Sequence, residues 1–367
     1  MKSFEDLDAL IGAVPFAIVN DLRTIDTGRG SEALYRDKLP ALLTSLAARA
    51  RVESIEASSA IEGIVVRDRA RAAEIVAGES DRLRDRSEQE LAGYRAALDY
   101  LYQQNWRPLN LGLILHLHRL LFQYTLAPGG QLKQVENLVV DKLPDGTKVK
   151  RFTPVSAIQT PYYLVELITR YRAAQDAGRH HPVLVTGLFV LDLLTIHPFL
   201  DGNGRITRAL TNALLQDVGY DVTRYVSLET SIARTSDAYY SALMSSTERW
   251  HDARHDPWPW LRYFIGLIAG SYGEFATLTS RAQSGGSKQD RVREYVLNHA
   301  PGTFQIADIR AALPGISDQT IRIALNQLKA EGQVAADSVG RGATWTRHAA
   351  GSDIEWAPWG SNPRPKD

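Results

Sequence analysis

Twelve consecutive residues carry the densest chemistry in the chain: His197-Pro198-Phe199-Leu200-Asp201-Gly202-Asn203-Gly204-Arg205-Ile206-Thr207-Arg208. The almost wholly apolar stretch Val183 to Ile196 precedes them, and such a stretch predicts a helix buried on all sides that holds its end rigidly. Pro198 disfavours helical geometry at His197, so the helix ends there. Gly202 and Gly204 bracket Asn203, a run that tolerates positive φ and lets backbone N–H groups converge. A helix starts directly after, and its free N–H groups and positive dipole end form an anion site. Arg205 and Arg208 are three apart and share a face of that helix. A loop backed by two arginines suits a polyphosphate better than a single carboxylate. Asp201 offers a hard oxygen ligand, which suits magnesium bridging phosphates. His197 can take the proton of an incoming hydroxyl.

Taken singly, each feature has a bland explanation. Asp-Gly-Asn-Gly is a common turn, a lone histidine is usually a satisfied core residue, and two arginines on a helix face are usually solvated. Together they match the motif of the Fic family, His-Pro-Phe-x-[Asp/Glu]-Gly-Asn-Gly-Arg-x-x-Arg, at every defined position. The chain resembles that family from about Leu91 to Leu278, with Leu115 to Phe122 and a hairpin segment in support. The resemblance implies an all-helical core and a role for each residue of the loop. His197 would be the general base and Asp201 the Mg2+ ligand. Gly202, Asn203 and Gly204 would cradle the α- and β-phosphates of ATP, with Ile206 and Thr207 in the same turn. Arg205 would pair with phosphate, Arg208 would reach the γ-phosphate, and Phe199 would anchor the loop in the core. The implied reaction is transfer of AMP to a Ser, Thr or Tyr hydroxyl of a protein. Family members that transfer phosphate depart from Gly-Asn-Gly, so the intact tripeptide favours nucleotidyl transfer. Removal of AMP by the same site is the alternative within this chemistry.

Two further segments bear on that site. Val135 to Phe152 has short β-prone runs around Pro144-Asp145-Gly146-Thr147, which is turn chemistry between two strands. It resembles the family's flap, onto which a target protein adds a strand through backbone hydrogen bonds. The family often has Arg soon after the Gly that precedes the flap, and Gly130-Gln131-Leu132-Lys133 has Lys there. Thr235 and Tyr240 lie where the family places the nucleoside side of its pocket. Near the other end of the chain, Ser58-Ser59-Ala60-Ile61-Glu62-Gly63 matches the Fic inhibitory pattern [Ser/Thr]-x-x-x-Glu-[Gly/Asn]. Glu62 reads as the last turn of a helix capped by Gly63, where a carboxylate faces the negative dipole end and needs a cation or solvent. The resemblance supplies the cation: Glu62 would pair with Arg208 and block the γ-phosphate, with Ser58 and Gly63 completing the motif.

The elements that must position these residues read as mainly helical. Leu39 to Ile61, Glu88 to Gln104, Leu109 to Tyr124, Ile158 to Asp176 and Arg205 to Asp217 place apolar residues three and four apart. Gly63, Gly178 and Gly219 stand at expected helix ends. His116 and His118 point to different sides of one helix and cannot chelate one ion, and His118 reads as core. His180-His181 before Pro182 reads as a helix start. Gln283-Ser284-Gly285-Gly286-Ser287 has the composition of a flexible linker. Beyond it, Gln289 to Asn298, Ile306 to Leu313 and a helix N-capped by Ser317 precede strands from Val334 to Trp345, with Gly340-Arg341-Gly342 at a tip. This order resembles a winged helix-turn-helix domain. The expected division is therefore an N-terminal helical region with the inhibitory helix (1–90), the Fic-type core with its β-hairpin flap (91–282), the winged-helix domain (287–348) and a Pro- and Gly-rich tail (349–367).

Composition sets the remaining bounds. Lys plus Arg equals Asp plus Glu at 42 each, so no global charge pulls the chain to nucleic acid or membrane. From Ser287 to His348 eight basic residues face six acidic ones, a thin footprint for a DNA-binding regulator. Arg341 at the tip is the best argument for DNA, and protein docking or dimerisation is the alternative role. The expected partners are a protein substrate on the flap, the chain itself as a target, and a second copy in a homodimer. There is no cysteine, which excludes disulfides, thiolate metal sites and a cysteine nucleophile. Glu5, Asp6 and Asp8 against Lys2 do not read as a signal peptide, and the longest apolar run is too short to span a bilayer. The expectation is a cytoplasmic protein.

Overall fold

The computed structural model describes residues 1–80, 82–103, 105–142, 148–283, 287–337 and 343–347. A 3₁₀ turn over Lys2–Phe4 opens the chain, followed by α1 (Leu7–Ile11), α2 (Phe16–Lys38), α3 (Pro40–Ile61), α4 (Arg69–Ala77), α5 (Arg86–Gln103) and α6 (Leu111–Phe122). Strands β1 (Val139–Lys142) and β2 (Lys148–Phe152) pair antiparallel, with Val140 opposite Lys150. Then come α7 (Thr160–Ala177), α8 (Pro182–Ile196), α9 (Asn203–Asp217), α10 (Leu228–Arg234), α11 (Ser236–Thr247) and α12 (Trp258–Gln283). The C-terminal unit holds α13 (Lys288–Asn298), β3 (Thr303–Gln305), α14 (Ile306–Ala312), α15 (Asp318–Ala330), β4 (Val334–Ala336) and β5 (Thr344–Arg347). The expected hairpin turn at 144–147, the glycine-rich tip at 340–342 and the tail lie outside the described residues. No helix among the described residues is long and apolar enough to cross a membrane.

Helix starts follow side-chain chemistry. Asp6, Asp68, Asn110, Ser227, Ser287 and Ser317 each accept a hydrogen bond from a backbone N–H of the helix they precede. Pro182 occupies the first turn of α8, where its missing N–H costs nothing. The expected glycines behave as C-terminal caps: Gly63, Gly178 and Gly219 all have positive φ.

Helix α8 is the centre of the molecule. From Val183 to Ile196 only Leu194 is not fully buried, and α7, α9, α11 and α12 surround it. α9 lies beside it and touches α3, α5 and α6. The loop joining α8 to α9 is therefore held from below by the most buried pair of helices in the fold. One charge lies in this apolar centre. Asp192 of α8 is wholly buried and accepts hydrogen bonds from Ser3 Oγ and Trp250 Nε1, both at 2.5 Å. Ser3 Oγ also lies 2.9 Å from His255 Nε2. The N-terminal turn is thereby tied to the back of the central helix.

Two expectations about organisation change. The boundary drawn between residues 90 and 91 falls inside α5, which runs unbroken from Arg86 to Gln103, so it is not a structural division. The C-terminal unit contains a strand that the sequence reading missed. β3 has three residues, too few to show alternation, and it pairs with β5 to give the antiparallel order β3-β5-β4. This unit packs on the body through α3, where Ser45 Oγ lies 2.9 Å from the Tyr295 hydroxyl and donates to the His299 carbonyl at 3.1 Å.

Candidate active site

His197 is the residue at which α8 stops. Its N–H still bonds the Leu193 carbonyl at 3.1 Å, but its φ of 50° is left-handed, so the chain turns away. A carbonyl can only accept, so the 3.3 Å contact to Leu194 O places a proton on His197 Nδ1 and leaves the Nε2 lone pair as the acceptor. Burial, and after it the Lys133 ammonium, pushes the imidazole pKa down to about 4. At neutral pH the ring is uncharged and able to receive a proton.

The turn from Phe199 to Gly204 is fixed by side chains that hold backbone. Asn203 Oδ1 accepts from Phe199 N–H at 2.9 Å and its Nδ2 donates to Phe199 O at 2.8 Å. Its side chain therefore shapes the loop, and what it offers a phosphate is its backbone N–H. Gly202 has φ 79°, and a Cβ there would stand 2.7 Å from Leu121 Cδ2, so glycine is required on both counts. The first N–H groups of α9, at Asn203, Gly204 and Arg205, have no carbonyl one turn earlier within the helix. Free N–H groups at a helix start are where the sequence reading expects an anion. Ile206 and Thr207 follow as buried residues of the first turns.

His118 supports the loop from beneath. Its ring stacks on Phe199 with centroids 3.7 Å apart. Nδ1 accepts from Gly130 N–H at 2.8 Å, so the proton sits on Nε2, which lies 3.1 Å from the Asp201 carbonyl and donates to it. Burial pushes this histidine down to about 4 as well. It is core, as expected, and it is also what the loop rests on.

Arg205 departs from the expected role. Its side chain is 1% exposed and its Nη1 is 2.6 Å from the Glu90 carboxylate on α5. Nη2 lies 3.5 Å from Asp201 Oδ1. A guanidinium held by a buried carboxylate is a structural tie, so the side chain is not free for phosphate. Arg86, one turn before Glu90, binds Glu90 Oε1 at 2.6 Å and reaches to 3.7 Å from Asp201 Oδ2. Asp201 Oδ1 accepts from Gly202 N–H at 2.6 Å. Its other oxygen belongs to a carboxylate that is 39% exposed, a donor set that fits one hard cation ligand completed by phosphate and water.

Arg208 lies one turn into α9, and its partner comes from far away in the chain. Its Nη2 is 2.8 Å from Glu62 Oε1. Ser58 adds two contacts: Nε donates to its hydroxyl at 2.9 Å, and the same Nη2 donates to its carbonyl at 3.0 Å. Burial opposes the charge on Arg208, but Glu62, ahead of the Tyr239, Tyr94 and Tyr240 hydroxyls, keeps its pKa raised. Glu62 is the residue on which α3 ends. Gly63 N–H bonds Ala60 O at 2.8 Å, Ile64 N–H bonds Ser59 O at 3.0 Å, and Gly63 takes φ 74°. This paired turn aims the carboxylate across to α9. A Cβ on Gly204 would stand 2.2 Å from Glu62 Oε1 and 2.9 Å from Arg208 Nη1. The carboxylate thus lies directly against the first turn of α9, where an anion is favoured.

The nucleoside-side candidates divide. Tyr240, on α11, packs edge-on to Tyr239 and is close enough to Arg208 to act on its charge. Thr235 caps the joint between α10 and α11, bonded to Ser231 O at 2.8 Å and lying 2.9 Å from the Tyr263 hydroxyl.

Sequence reasoning gave no role to Glu90, Arg86, or the pair Lys133 and Asn137 that ties the segment before β1 to α8 and the loop. Lys133 is 3% exposed, and its Nζ donates to the Ile196 carbonyl at 3.1 Å and to Asn137 Oδ1 at 2.9 Å. Asn137 Nδ2 donates to Phe199 O at 2.9 Å. The segment leading into β1 is thus bound to the end of α8 and to the loop. The i, i+4 spacing of Lys133 with Asn137 and of Arg86 with Glu90 was the available signal.

Comparison with known proteins agrees with this geometry. Residues 108–215 match the Fic/DOC family. The chain is 31% identical over 137 residues to Protein adenylyltransferase Fic of Drosophila grimshawi, a match covering 36% of this chain and 26% of that protein. It is 28% identical over 134 residues to the protein of the same name in Drosophila melanogaster, covering 36% and 25%. The match thus spans about a quarter of these curated relatives. Among solved structures, a Fic family protein from Desulfovibrio desulfuricans G20 superposes with a TM-score of 0.58 at 19% identity, covering 92% of this chain and 98% of that one. A Fic domain containing signaling protein from Bacteroides thetaiotaomicron VPI-5482 gives 0.56 at 21% identity over 71% and 98%. Fic-1 of C. elegans gives 0.55 at 18% over 73% and 74%. A loop that matches the family motif at every defined position, on a helical body that shares the fold of these structures, makes this a Fic family chain whose Fic domain spans residues 108–215.

Proposed function

We propose that the chain is an autoinhibited protein adenylyltransferase that moves AMP from Mg-ATP to a protein hydroxyl. One observation carries this reading: the Glu62 carboxylate lies against Gly204 at the start of α9, 2.8 Å from Arg208 Nη2. A carboxylate held by an arginine at a helix N-terminus stands where a terminal phosphate would be bound. The names of the Drosophila relatives support AMP as the transferred group. In the reaction His197 Nε2 accepts the hydroxyl proton as the oxygen attacks the α-phosphorus. The bond from that phosphorus to the β-phosphate oxygen breaks, and pyrophosphate leaves. The N–H groups at the start of α9 orient the phosphates. Asp201 would hold magnesium, which offsets phosphate charge when bound. The target protein would pair with the flap strands, whose free edge accepts an added strand. Arg205 serves through its backbone N–H and through its tie to Glu90.

Glu62 restrains the reaction because Arg208 cannot serve its carboxylate and a γ-phosphate at once. ATP that binds without Arg208 has its α-phosphorus out of line, and rate falls steeply with such misplacement. The test is AMP incorporation at saturating Mg-ATP by the parent, Glu62→Gly, Arg208→Ala, the double variant and His197→Ala. Glu62→Gly is expected to raise incorporation, and Arg208→Ala to lower it alone and in combination. His197→Ala should lose about 10²–10⁴-fold in rate while still binding ATP. Equal or lower incorporation by folded Glu62→Gly would overturn restraint. If the parent releases AMP from a modified protein and Glu62→Gly does not, Glu62 serves removal.

In the C-terminal unit, the order of helices and strands supports a winged helix. Its α15 has both flanking acids committed. Glu331 pairs with Arg293 at 2.7 Å and Asp318 with Arg310 at 2.7 Å. These pairs use basic residues too, so they add no positive field for DNA, and protein docking is the favoured role.

A further inference from the structure

The flap is tied down at both ends. Lys133 and Asn137 hold the segment before β1. At the other end β2 closes on Phe152, and His251 meets it there. His251 Nε2 lies 2.8 Å from the Thr153 carbonyl and donates to it, since a carbonyl can only accept. The imidazole also lies parallel to the Phe152 ring, with centroids 5.6 Å and planes 5° apart. That separation suits an offset aromatic stack. One ring thus grips both the backbone and a side chain at the end of the flap.

The backbone that carries His251 is strained. A single 3₁₀ turn, Trp250–Asp252, stands between α11 and α12. The residues on either side of it, Arg249 at φ 57° and Ala253 at φ 54°, are left-handed although both carry a Cβ. Such geometry persists where the surroundings over-determine it. Trp250 supplies that constraint: it is wholly buried, and its indole N–H donates to Asp192 at 2.5 Å. Asp192 belongs to α8, the helix that stops at His197. Two adjacent side chains therefore join two parts of the site. Trp250 is rooted in α8, and His251 holds the end of the flap.

We infer that His251 is a positioning residue, which fixes the strand that receives a target relative to His197. The inference rests on the reading of the chain as a transferase that docks its target on β1 and β2. His251 touches neither the loop nor α9 in any of these contacts, so its effect falls on the acceptor and not on the nucleotide.

Hydrogen exchange of the full chain, read by mass spectrometry, tests the anchor. His251→Ala should raise exchange in the peptides covering β1 and β2 about tenfold, the loss expected for one hydrogen bond and one ring contact. The peptides of α8 and α9 should exchange as in the parent. His251→Gln, whose amide can donate to the same carbonyl, should restore part of the protection. Unchanged exchange in the flap of His251→Ala would overturn the anchor. An equal rise in α8 and α9 would do the same, because the turn would then only support the core. Transfer is read in the Glu62→Gly background, with labelled ATP and the chain itself as acceptor. Adding His251→Ala should lower AMP incorporation about tenfold at unchanged ATP affinity, and adding His251→Gln instead should recover part of it. Matched losses of incorporation and ATP affinity would overturn the assignment and place His251 on the nucleotide side. Incorporation at the Glu62→Gly rate would overturn it too. If Glu62→Gly itself transfers no AMP, the proposed reaction fails while exchange still decides the anchor.

Discussion

The space above Gly204 is contested by three groups: the Glu62 carboxylate, the Arg208 guanidinium and any incoming phosphate. A methyl group there would meet Glu62 Oε1 at 2.2 Å, so Gly204→Ala must displace that carboxylate. It would also fill the seat that a phosphate needs. The variant should therefore lose ATP affinity, by about tenfold or more, and should not mimic Glu62→Gly. Titration with ATP beside an incorporation assay decides it, and activation by Gly204→Ala would show that phosphate does not approach this glycine. The residues of this loop were legible in sequence because their chemistry is local. His197, Asp201 and the glycines act through backbone turns and adjacent positions. Arg205 was not legible in the same way, because its partner Glu90 lies 115 residues earlier in the chain. Nothing local distinguishes an arginine aimed at phosphate from one buried against a carboxylate. Glu62 was legible only because a resemblance supplied its distant partner.

Two ties between helices set the geometry in which the loop works. The first joins α5 to α9. Removing Glu90 would leave Arg205 as an uncompensated buried charge. Such a loss costs about 3–5 kcal/mol, so Glu90→Ala should unfold at a markedly lower urea concentration. Replacing both residues by apolar ones of similar size should recover much of that loss. A change under about 1 kcal/mol in the single variant would mean that Arg205 finds water. The second tie is Lys133, whose ammonium caps the last carbonyl of α8. Burial holds its pKa down at about 8. Lys133→Met should lower the transfer rate more than ATP affinity, with Lys133→Arg restoring part of it, because the flap and His197 are placed through this contact. Equal loss in both measurements would assign Lys133 to nucleotide binding. Helices of this length were readable from their apolar spacing and caps. Strand β3 was not, since three residues hold no period and it exists by virtue of pairing with β5.

Acid should act on the whole molecule through its buried histidines. Burial pushes His118, His197 and His255 down to about 4 from the usual 6.5. The unfolded chain binds protons at these sites that the folded chain refuses. Their contribution is complete above pH 6.5 and is lost as pH falls toward 4. Asp192, raised by burial to about 6, works the other way, favouring the fold in acid and losing that contribution as pH rises to 6. Among these four groups, three sites against one give a net loss on the order of 6 kcal/mol between neutral pH and about pH 4. Urea midpoints across that range should fall with acid, and a flat profile would show that the rings titrate normally.

Helix α3 links distant parts of this body. Its 22 residues make a rod about 33 Å long. Ser45, in its second turn, is bound to the C-terminal unit, and Glu62 at its far tip is bound to Arg208. The two ends share one stiff piece of backbone. On the proposed competition between Glu62 and a nucleotide, anything that grips the C-terminal unit and pulls this rod along its axis would change how readily Arg208 is surrendered. Reciprocity then applies without further assumptions: nucleotide occupancy alters the grip of that distant partner by the same factor. A protein that binds the C-terminal unit would thus read, at the other end of the rod, whether the chain is loaded.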